Sequence, residues 1–316
     1  MKTKKILITG STGFVGKNLV NFMKNNGYNN LIAVSSKDYD LTQQEQVKRM
    51  FNDEKPEIVI NLAAYVGGIL ANKNNPGDFF YRNILMGTLV MHEAKESKIE
   101  KYVGLMGGCS YPSNAPSPIK EEEMWNGYPQ KESAAYSTAK KMSIIQAQAY
   151  RQQFGFNAVI LVPGNIYGPY DNFSLTDSHV IPALIRKFYE AKKEGKSEVI
   201  CWGSGRPTRD FIYIEDAVEA VTKALEEYTD KEIINISSGT EISIKELVET
   251  VAKLTRFEGK LVWDTTKPDG QMYKGFDVGR MRKILKYEPK TSLEEGLRKT
   301  ITWFEENYDK PGAVRL

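Results

Sequence analysis

A tyrosine and a lysine four residues apart could carry out proton transfer in the segment Tyr136-Ser137-Thr138-Ala139-Lys140. In a helix, this spacing places the two side chains on one face. A phenol with its ordinary pKa of about 10 is a weak acid–base group at neutral pH, and a neighbouring ammonium lowers that pKa by stabilising the phenolate. The pair could then exchange a proton with a substrate carbonyl or alkoxide. The alternative interpretation is a surface pair with no chemical role.

A glycine-rich turn upstream of this pair has the form of a phosphate-binding loop. It follows an apolar run and precedes a helical pattern. In such loops the first glycine permits a tight turn, the second lets the backbone approach a pyrophosphate, and the third allows close packing of helix on strand. The helix N-terminus then presents free N–H groups to the phosphates. We predict that this turn binds a dinucleotide through Gly10, Ser11, Thr12, Gly13, Phe14, Val15 and Gly16. The alternative interpretation is a turn whose glycines serve only packing.

The residues after the second predicted strand favour NADP over NAD. An NAD site needs an acidic residue there to bind the ribose 2′-hydroxyl. The chain instead has Val34-Ser35-Ser36-Lys37, and its acids occur only at Asp38 and Asp40. Hydroxyls and an ammonium suit a 2′-phosphate better than a carboxylate does. A solvated loop charge is the alternative interpretation of Lys37.

The elements that position these residues form an alternating pattern of apolar runs and amphipathic stretches. This pattern predicts an α/β fold, a doubly wound parallel sheet of Rossmann type with a smaller C-terminal substrate-binding lobe. The predicted strands are Lys5–Thr9, Leu31–Val34, Glu57–Asn61, Tyr102–Leu105 and Asn157–Val162; the predicted helices are Val15–Asn25, Asn83–Ser97, 179–194, 243–255 and 291–307. We predict a dinucleotide-binding domain of residues 1–163 plus about 207–240, and a second lobe of about 164–206 plus 241–316, which share one cleft.

Composition and charge exclude several functional classes. The 316 residues carry a formal net charge of +3, which is too small to indicate a nucleic-acid or membrane-surface partner. No stretch approaches the roughly 20 apolar residues that cross a bilayer, and the apolar run near the N-terminus is too short for a signal peptide. Because the two cysteines and two histidines lack zinc-ligand or disulfide-framework spacing, we predict no metal site and a cytoplasmic protein.

Several motifs make the chain similar to extended short-chain dehydrogenase/reductases that act on nucleotide sugars. They are the glycine turn, Asn61-Leu62-Ala63-Ala64, the Tyr136/Lys140 pair and Arg209-Asp210-Phe211-Ile212-Tyr213. Longer runs resemble the GDP-L-fucose synthase family, which are GDP-4-keto-6-deoxymannose 3,5-epimerase/4-reductases. These runs are Val66-Gly67-Gly68-Ile69, Asn165-Ile166-Tyr167-Gly168-Pro169, Asp171-Asn172-Phe173, Ser178-His179-Val180-Ile181-Pro182-Ala183-Leu184, Trp202-Gly203-Ser204-Gly205 and Lys267-Pro268-Asp269-Gly270.

This resemblance implies NADPH as cofactor, a GDP-linked keto-deoxy sugar as substrate, and a homodimer. It implies that Tyr136 gives a proton to the new alkoxide and that Lys140 binds the nicotinamide ribose. It further implies that Cys109 and His179 are the base and the acid that invert C3 and C5 of the sugar. From the residues alone, Cys109 would be a small buried hydrophobic residue and His179 a hydrogen-bonded residue at a helix start.

The same resemblance implies further contacts with both ligands. Two of the implied substrate residues have alternative interpretations: Trp202 could be a core residue, and Arg209 could form a salt bridge between the lobes. The implied cofactor residues, beyond the glycine turn, are Ser36, Lys37, Asp40, Leu41, Leu62, Ala63, Ala64, Leu105, Met106, Gly107, Gly108, Tyr136, Lys140, Pro163, Gly164, Asn165, Ile166 and His179. The implied substrate residues are Cys109, Asn165, Val180, Lys187, Trp202, Arg209, Asp269 and Asp277.

One position departs from the family pattern. The usual active-site serine, which donates to the substrate carbonyl, falls at Gly107. A backbone N–H, a water, Ser110 or a substrate group must replace that hydroxyl, or the contact is lost; one such donor is worth about 2.7–4 kcal/mol. Gly107 and Gly108 also make room beside the sugar. We therefore predict a C4 reductase of a GDP-4-keto-6-deoxy hexose or heptose, in deoxysugar synthesis for surface polysaccharide, with the bifunctional epimerase/reductase as the alternative.

Three other functions on this fold fit the sequence less well. A 4,6-dehydratase carries an acidic pair after the serine position, where this chain has Gly108-Cys109. A 4-epimerase usually has an acid at the end of the second strand. A non-catalytic NADP sensor has no need for the Tyr136/Lys140 pair.

Overall fold

A six-stranded parallel sheet forms the centre of the larger part of the protein. The computed structural model describes residues 1–267 and 269–316; Pro268 of the Lys267–Gly270 motif lies outside the described residues. The strands occur in the order β2-β1-β3-β4-β5-β9, and every neighbouring pair is parallel. They are β1 (Ile6–Thr9), β2 (Leu31–Ala33), β3 (Ile58–Asn61), β4 (Lys101–Leu105), β5 (Ala158–Pro163) and β9 (Ile234–Ile236).

The strands are largely apolar because helices cover both faces of this sheet. Ile6 and Ile8 pack into a hydrophobic cluster on one face, and Leu7 packs into a second cluster on the other. This alternation is what a doubly wound sheet requires. The helices of this part are α1 (Phe14–Asn25), α2 (Gln44–Glu54), α3 (Ile69–Asn74), α4 (Pro76–Glu96), α5 (Ala134–Phe154) and α7 (Ile214–Glu227).

The remaining elements form a smaller group. Its strands are β6 (Asn165–Tyr167), β8 (Thr208–Tyr213) and β10 (Glu241–Ser243) in a sheet of order β10-β8-β6, and the parallel pair β7 (Glu198–Trp202) and β11 (Lys260–Asp264). Its helices are α6 (Val180–Lys193), α8 (Ile244–Thr255), α9 (Gly279–Leu285) and α10 (Leu293–Asn307).

The two groups of elements meet at the carboxyl ends of β4 and β5. The segment around Phe276 pairs with Ile119, which follows β4 in the chain. The Gly275 N–H donates to Ser117 Oγ at 2.8 Å, and the Ile119 N–H donates to the Gly275 carbonyl at 2.9 Å. These bonds fix the loop that follows β11 against the edge of the large sheet, where ligands bind in such folds.

The predicted fold class and all five predicted strands are confirmed, each strand to within one residue at either end. The five predicted helices are present too, but α4 begins at Pro76 and not at Asn83. Residues 76–82 resemble a turn because they include Pro76 and Gly77, yet proline is favoured in the first turn of a helix. The domain division remains a prediction; within 207–240, β9 joins the large sheet and β8 the small one.

No helix in the described part of the chain is both long enough and apolar enough to cross a membrane.

Candidate active site

The glycine turn between β1 and α1 leaves the backbone open to a bound phosphate. Gly10 has a φ of +66°, and a Cβ there would come within 2.9 Å of the Ala63 nitrogen. At Gly16, a Cβ would come within 2.6 Å of the Ser11 Cα. Gly13 precedes α1, and no side chain caps the first N–H groups of that helix. Because Thr12 and Gly13 are exposed, these N–H groups fit a pyrophosphate.

The loop after β2 has its acids already engaged. Asp38 accepts the N–H of Ser35 at 2.8 Å and the Ser35 hydroxyl at 2.7 Å, and Asp40 accepts both donors of Thr42. These bonds lower the pKa of each carboxyl group. Ser36 and Lys37 are exposed, and Lys37 forms no ion pair with a described residue. This arrangement suits a 2′-phosphate better than a ribose hydroxyl.

The ends of β3, β4 and β5 continue the same edge of the sheet. Ala63 lies against Gly10, and Gly108 lies against the Pro163 carbonyl. The Gly164 N–H donates to Ile236 in β9 at 2.9 Å. The edge thus brings together the predicted cofactor residues Leu62, Ala63, Ala64, Leu105, Met106, Gly107, Gly108, Pro163, Gly164, Asn165 and Ile166. The contacts of these residues with a cofactor stay predictions. The same holds for the contacts of Phe14, Val15 and the buried Leu41.

Tyr136, Cys109 and the backbone of Gly107 meet at the end of β4. A Cβ at Gly107 would lie 3.3 Å from Cys109 Sγ and 3.7 Å from Tyr136 Oη. Tyr136 lies in the first turn of α5, and Lys140 lies one turn further along. The rings of Tyr136 and Phe79 pack edge to face, with their centroids 6.3 Å apart. A serine at position 107 would therefore face the Tyr136 hydroxyl, as the family pattern implies.

Burial dominates the charge states of this pair. It raises the pKa of Tyr136, and a thiolate at Cys109 would add to that effect. It lowers the pKa of Lys140 to about 8. Burial therefore sets the pKa of Tyr136 above its ordinary value, while a lowering of that pKa by Lys140 stays a prediction. Tyr136 is held in its protonated form, which is the form that can donate a proton.

The structure excludes Ser110 as a replacement for the missing serine. Ser110 is fully buried, and its hydroxyl donates to the Ser137 carbonyl at 3.2 Å. The Ser137 hydroxyl in turn donates to the Cys109 carbonyl at 3.1 Å. These bonds fix the 3₁₀ turn of residues 108–110 on α5 and direct the Ser110 hydroxyl away from the cleft. The donor to the substrate carbonyl is then a backbone N–H, a water or a group of the substrate.

His179 and Val180 lie at the start of α6. The imidazole is exposed to the cleft, yet enough protein surrounds it for desolvation to lower the pKa of His179. The preceding loop reaches the β3–α3 loop, where a Cβ at Gly68 would lie 3.4 Å from the Asp177 backbone. His179 follows this contact by two residues, and its contacts with cofactor and sugar stay predictions.

Three predicted substrate residues lie in the smaller group of elements, in α6, β7 and β8. Trp202 is 63% exposed, which excludes the alternative of a core residue. Lys187 Nζ lies 5.9 Å from the Trp202 ring and donates to the Ile200 carbonyl at 2.7 Å. Arg209 donates to the carbonyls of Thr208 and Gln271, each at 2.7 Å, and it forms no salt bridge with a described residue. Its hydrogen-bond partners are neutral carbonyls, and the negative charge of Glu241 offsets only part of the effect that burial has on the pKa of Arg209.

The predicted acids Asp269 and Asp277 have structural contacts instead. Asp269 accepts the N–H and the hydroxyl of Ser204 at 2.6 and 2.7 Å, so it fixes the turn beside Trp202. Asp277 accepts the Gly279 N–H at 2.8 Å at the start of α9. Asn165 Nδ2 donates to the Asp210 carbonyl at 2.8 Å. The substrate roles of these residues stay predictions.

Lys274 is a further cation that no sequence motif indicated. Burial and the like charge of Arg209 lower the pKa of its ammonium, and a thiolate at Cys109 would raise that pKa. The residue follows the Lys267–Gly270 motif closely, but nothing in its local sequence indicates that the fold desolvates its ammonium.

Comparisons with known proteins agree with this arrangement. The NAD dependent epimerase/dehydratase family matches residues 6–237. The chain is 42% identical over 306 residues to GDP-L-fucose synthase 1 of Arabidopsis thaliana, covering 97% of this chain and 94% of that protein. The chain therefore belongs to the NAD dependent epimerase/dehydratase family and, within it, to the extended short-chain dehydrogenase/reductases of the GDP-L-fucose synthase family. The resemblance predicted from the motifs is confirmed.

Two solved structures are similar over nearly the whole chain. A GDP-6-OMe-4-keto-L-xylo-heptose reductase from C. jejuni has a TM-score of 0.90 at 29% identity, covering 97% of this chain and 99% of that one. MlghC, a GDP-mannoheptose C4 reductase from Campylobacter jejuni with NADP bound, has a TM-score of 0.89 at 30% identity, covering 96% and 99%.

Proposed function

We propose that the protein is an NADPH-dependent reductase of the C4 ketone in a GDP-linked 4-keto-6-deoxy sugar. The observation that carries this proposal is the meeting of the Tyr136 hydroxyl and the Cys109 thiol at Gly107, beside the sheet edge that bears the glycine turn. The names of relatives support the ligands: GDP-L-fucose synthase for one, and a GDP-mannoheptose C4 reductase with NADP bound for another.

Tyr136 is the proton donor of the reaction. Bound NADPH would supply the hydride that adds to C4 of the ketone. The carbonyl oxygen then gains negative charge, and the Tyr136 hydroxyl donates its proton to that oxygen, which yields the alcohol. The raised pKa of Tyr136 keeps this proton in place until the charge develops. The ammonium of Lys140, one turn away, stabilises the tyrosinate that remains.

The open end of the cleft binds the GDP part of the substrate. Arg209 and Lys187 bring positive charge to the diphosphate, and the exposed Trp202 ring forms a wall for the base or sugar. The resemblance to the family adds four further residues to this binding site: Asn165, Val180, Asp269 and Asp277. The sugar then extends from Arg209 toward Cys109 and Tyr136.

Epimerisation at C3 and C5 is the second candidate, and the position of Cys109 favours it. Its thiol lies near the same Cβ position as the Tyr136 hydroxyl, so one ketone could be in reach of both groups. A thiolate could remove a proton next to the ketone, and His179 could return one from the opposite face of the sugar.

The substrate is a hexose or a heptose, and Gly107 and Gly108 bear on that choice. Gly107 leaves the space beside Tyr136 without a side chain, which favours a bulkier sugar, whereas the ring of Phe276 already fills the space at Gly108. The product enters deoxysugar synthesis for surface polysaccharide, by likeness to the family. The predicted cytoplasmic location stays a prediction.

The protein forms a homodimer through the outer faces of α4 and α5. Four large apolar side chains are exposed there by 43–60%, more than solvated helices usually show together. They are Phe80, Tyr81, Ile145 and Phe154. Sedimentation equilibrium would give a dimer mass for the wild type and a monomer mass for the double variant Tyr81→Glu, Ile145→Glu; a monomeric wild type would contradict the dimer.

The test of the proposed function follows NADPH absorbance at 340 nm with GDP-4-keto-6-deoxy sugars as substrates. A reductase oxidises NADPH in a one-to-one ratio with ketone, whereas a sensor binds NADPH without oxidising it and a 4-epimerase consumes none. Product NMR with a hexose and a heptose then assigns the sugar. In heavy water, deuterium at C3 and C5 of the product indicates epimerisation, and its absence shows that Cys109 is idle.

A further inference from the structure

The loop of residues 174–178 leads directly to His179 at the start of α6. Its middle residues, 175–177, are exposed, so the hydrophobic core does not hold them. The segment before the loop is fixed, in contrast. Phe173 is fully buried, and its N–H donates to the Arg315 carbonyl at 2.7 Å. The position of His179 therefore depends on how an exposed loop is attached to a rigid base.

The side chain of Asn172 joins this rigid base to both ends of the loop. Its Nδ2 donates to the Asp177 carbonyl at 3.2 Å, and its Oδ1 accepts the Ser174 N–H at 3.1 Å. The N–H of Asn172 itself donates to Oδ1 of the buried Asp171 at 2.7 Å. One amide group thus closes the loop, and the end that its nitrogen holds lies two residues before His179.

The other hydrogen bonds of the loop are internal. The Ser174 hydroxyl accepts the N–H groups of Thr176 and Asp177, each at 3.3 Å, and the Ser178 hydroxyl donates to the Ser174 carbonyl. These bonds shape the loop but attach it to no other element. Within residues 1–267 and 269–316, only the two bonds of the Asn172 amide join the loop to the rest of the protein.

The end of the loop that Asn172 holds also contacts the large-sheet part of the protein. A Cβ at Gly68 would lie 3.4 Å from the Asp177 backbone. Gly68 belongs to the turn after β3, and the Asn72 amide fixes this turn by donating to the carbonyls of Gly67 and Gly68 at 3.0 and 3.1 Å. Release of Asp177 from Asn172 would therefore change how the chain before His179 packs on that turn.

We propose that Asn172 is a positioning residue, whose amide holds the end of the loop of residues 174–178 and so fixes the His179 imidazole for proton return to the sugar. This proposal rests on the epimerase branch of the proposed function. In that step, an N–H bond of the imidazolium breaks, and the electron pair of the enolate forms a C–H bond next to the ketone. The ketone is regenerated and a neutral imidazole remains. A misplacement of about 1 Å can slow such a step about 100-fold.

The NMR signals of the imidazoles, measured on the enzyme without substrate, test the proposal. The chain has two histidines, so labelled histidine gives two signals, and His179→Gln assigns them. Asn172→Ser and Asn172→Asp each keep an acceptor for the Ser174 N–H and lose the donor to Asp177; the serine adds no charge. We expect both variants to shift the His179 signal. Because desolvation lowers the pKa of His179, Asn172→Ser should also move its titration midpoint up toward about 6.5.

Asn307→Ser is the matched control. Asn307 is partly buried in α10, and its Nδ2 donates to the Trp303 carbonyl at 2.7 Å, so this variant also loses one bond from an amide to a carbonyl. It should leave the His179 signal unchanged, and the His92 signal should stay in place in all these variants. A His179 signal with the wild-type position and midpoint in both Asn172 variants would overturn the proposal.

Deuterium incorporation extends the test to activity. Where the wild type incorporates deuterium at C3 and C5 in heavy water, Asn172→Ser should lower the incorporation rate about tenfold and keep NADPH affinity within about twofold. An unchanged incorporation rate contradicts the proposal. A wild type without deuterium would instead remove the epimerase branch of the proposed function. The imidazole signals need no sugar substrate, so they distinguish the two failures.

Discussion

The turns after β1 and β4 both contain glycines, but they need them for different reasons. After β1, Gly10 and Gly16 lie against the backbone of Ala63 and Ser11, which cannot move without disturbing the sheet. After β4, Gly108 lies against the side chain of Phe276, and Gly107 faces the reactive atoms of Cys109 and Tyr136. Main-chain packing therefore determines the first turn, and side-chain chemistry determines the second.

This difference separates the tasks of the two regions. A turn that binds phosphates through N–H groups is independent of pH and tolerates varied side chains at its exposed positions. A turn that transfers protons depends on a few titratable groups, whose charge states follow from burial. We therefore expect the two regions to respond to substitution in separate ways.

Gly16→Ala should have the largest effect on the cofactor region. Its Cβ would come within 2.6 Å of the Ser11 backbone, so the turn must shift away from the pyrophosphate. We expect NADPH affinity, measured by fluorescence titration, to fall about 100-fold, since overpacking costs about 1–3 kcal/mol. Gly77→Ala is the matched control, because nothing lies within 4 Å of a Cβ in that exposed turn of α4. Equal affinities in both variants would contradict the steric account of the first turn.

Two serine substitutions should divide the second turn into a structural and a chemical position. Gly108→Ser should lower the free energy of unfolding by about 1–3 kcal/mol, because it collides with Phe276. Gly107→Ser should change stability by less than about 1 kcal/mol and should raise kcat for a keto hexose by up to about tenfold, because it adds a donor near the ketone. Denaturant unfolding and steady-state kinetics check both. Equal destabilisation by Gly107→Ser and Gly108→Ser would contradict the division into a chemical and a structural position.

The pH dependence of reduction should reflect Lys140. Burial lowers its pKa to about 8, so the ammonium is lost as the pH rises through that value. We expect kcat/KM to be constant from pH 6 to 7 and to fall about tenfold per pH unit well above pH 8. Lys140→Arg keeps its charge, so its lower rate should stay level to about pH 10. A fall at pH 8 that persists in Lys140→Arg would assign the titration to another group.

Lys37→Ala should have the smallest effect. Loss of one exposed charge-assisted bond to the 2′-phosphate should weaken NADPH binding about tenfold and leave NADH binding unchanged. Lys48→Ala on α2 is the control, since Lys48 is exposed near Glu45. Equal weakening of NADPH and NADH would show that Lys37 does not contact the 2′-phosphate.

The sequence predicts the large sheet well and the small lobe poorly. Strands such as β3 and β5 are fully buried apolar runs, which have a clear signature. In contrast, β6 and β10 have three residues each and are only partly buried, so no periodicity reveals them. For the same reason, β8 could not be assigned to the sheet of β6 and β10 in advance.

The site shows the same division between local and long-range information. The spacing of Tyr136 and Lys140 in α5 is local, so the sequence indicates the pair. The desolvation that raises the pKa of Tyr136 and lowers that of Lys140 depends on the folded surroundings, so the spacing alone indicates the effect of the ammonium but not that of burial. The hydrogen bond from the Gly275 N–H to the Ser117 hydroxyl joins segments 158 positions apart in the chain, which no local pattern encodes.

Single-turnover NADPH oxidation by Tyr136→Phe tests the central claim most directly. The variant retains the ring and loses only the hydroxyl beside Gly107. We predict a rate of C4 reduction at least about 100-fold below wild type, as for the loss of a general acid, with NADPH affinity within about twofold of wild type. A variant that reduces the ketone at the wild-type rate would contradict the assignment of Tyr136 as proton donor.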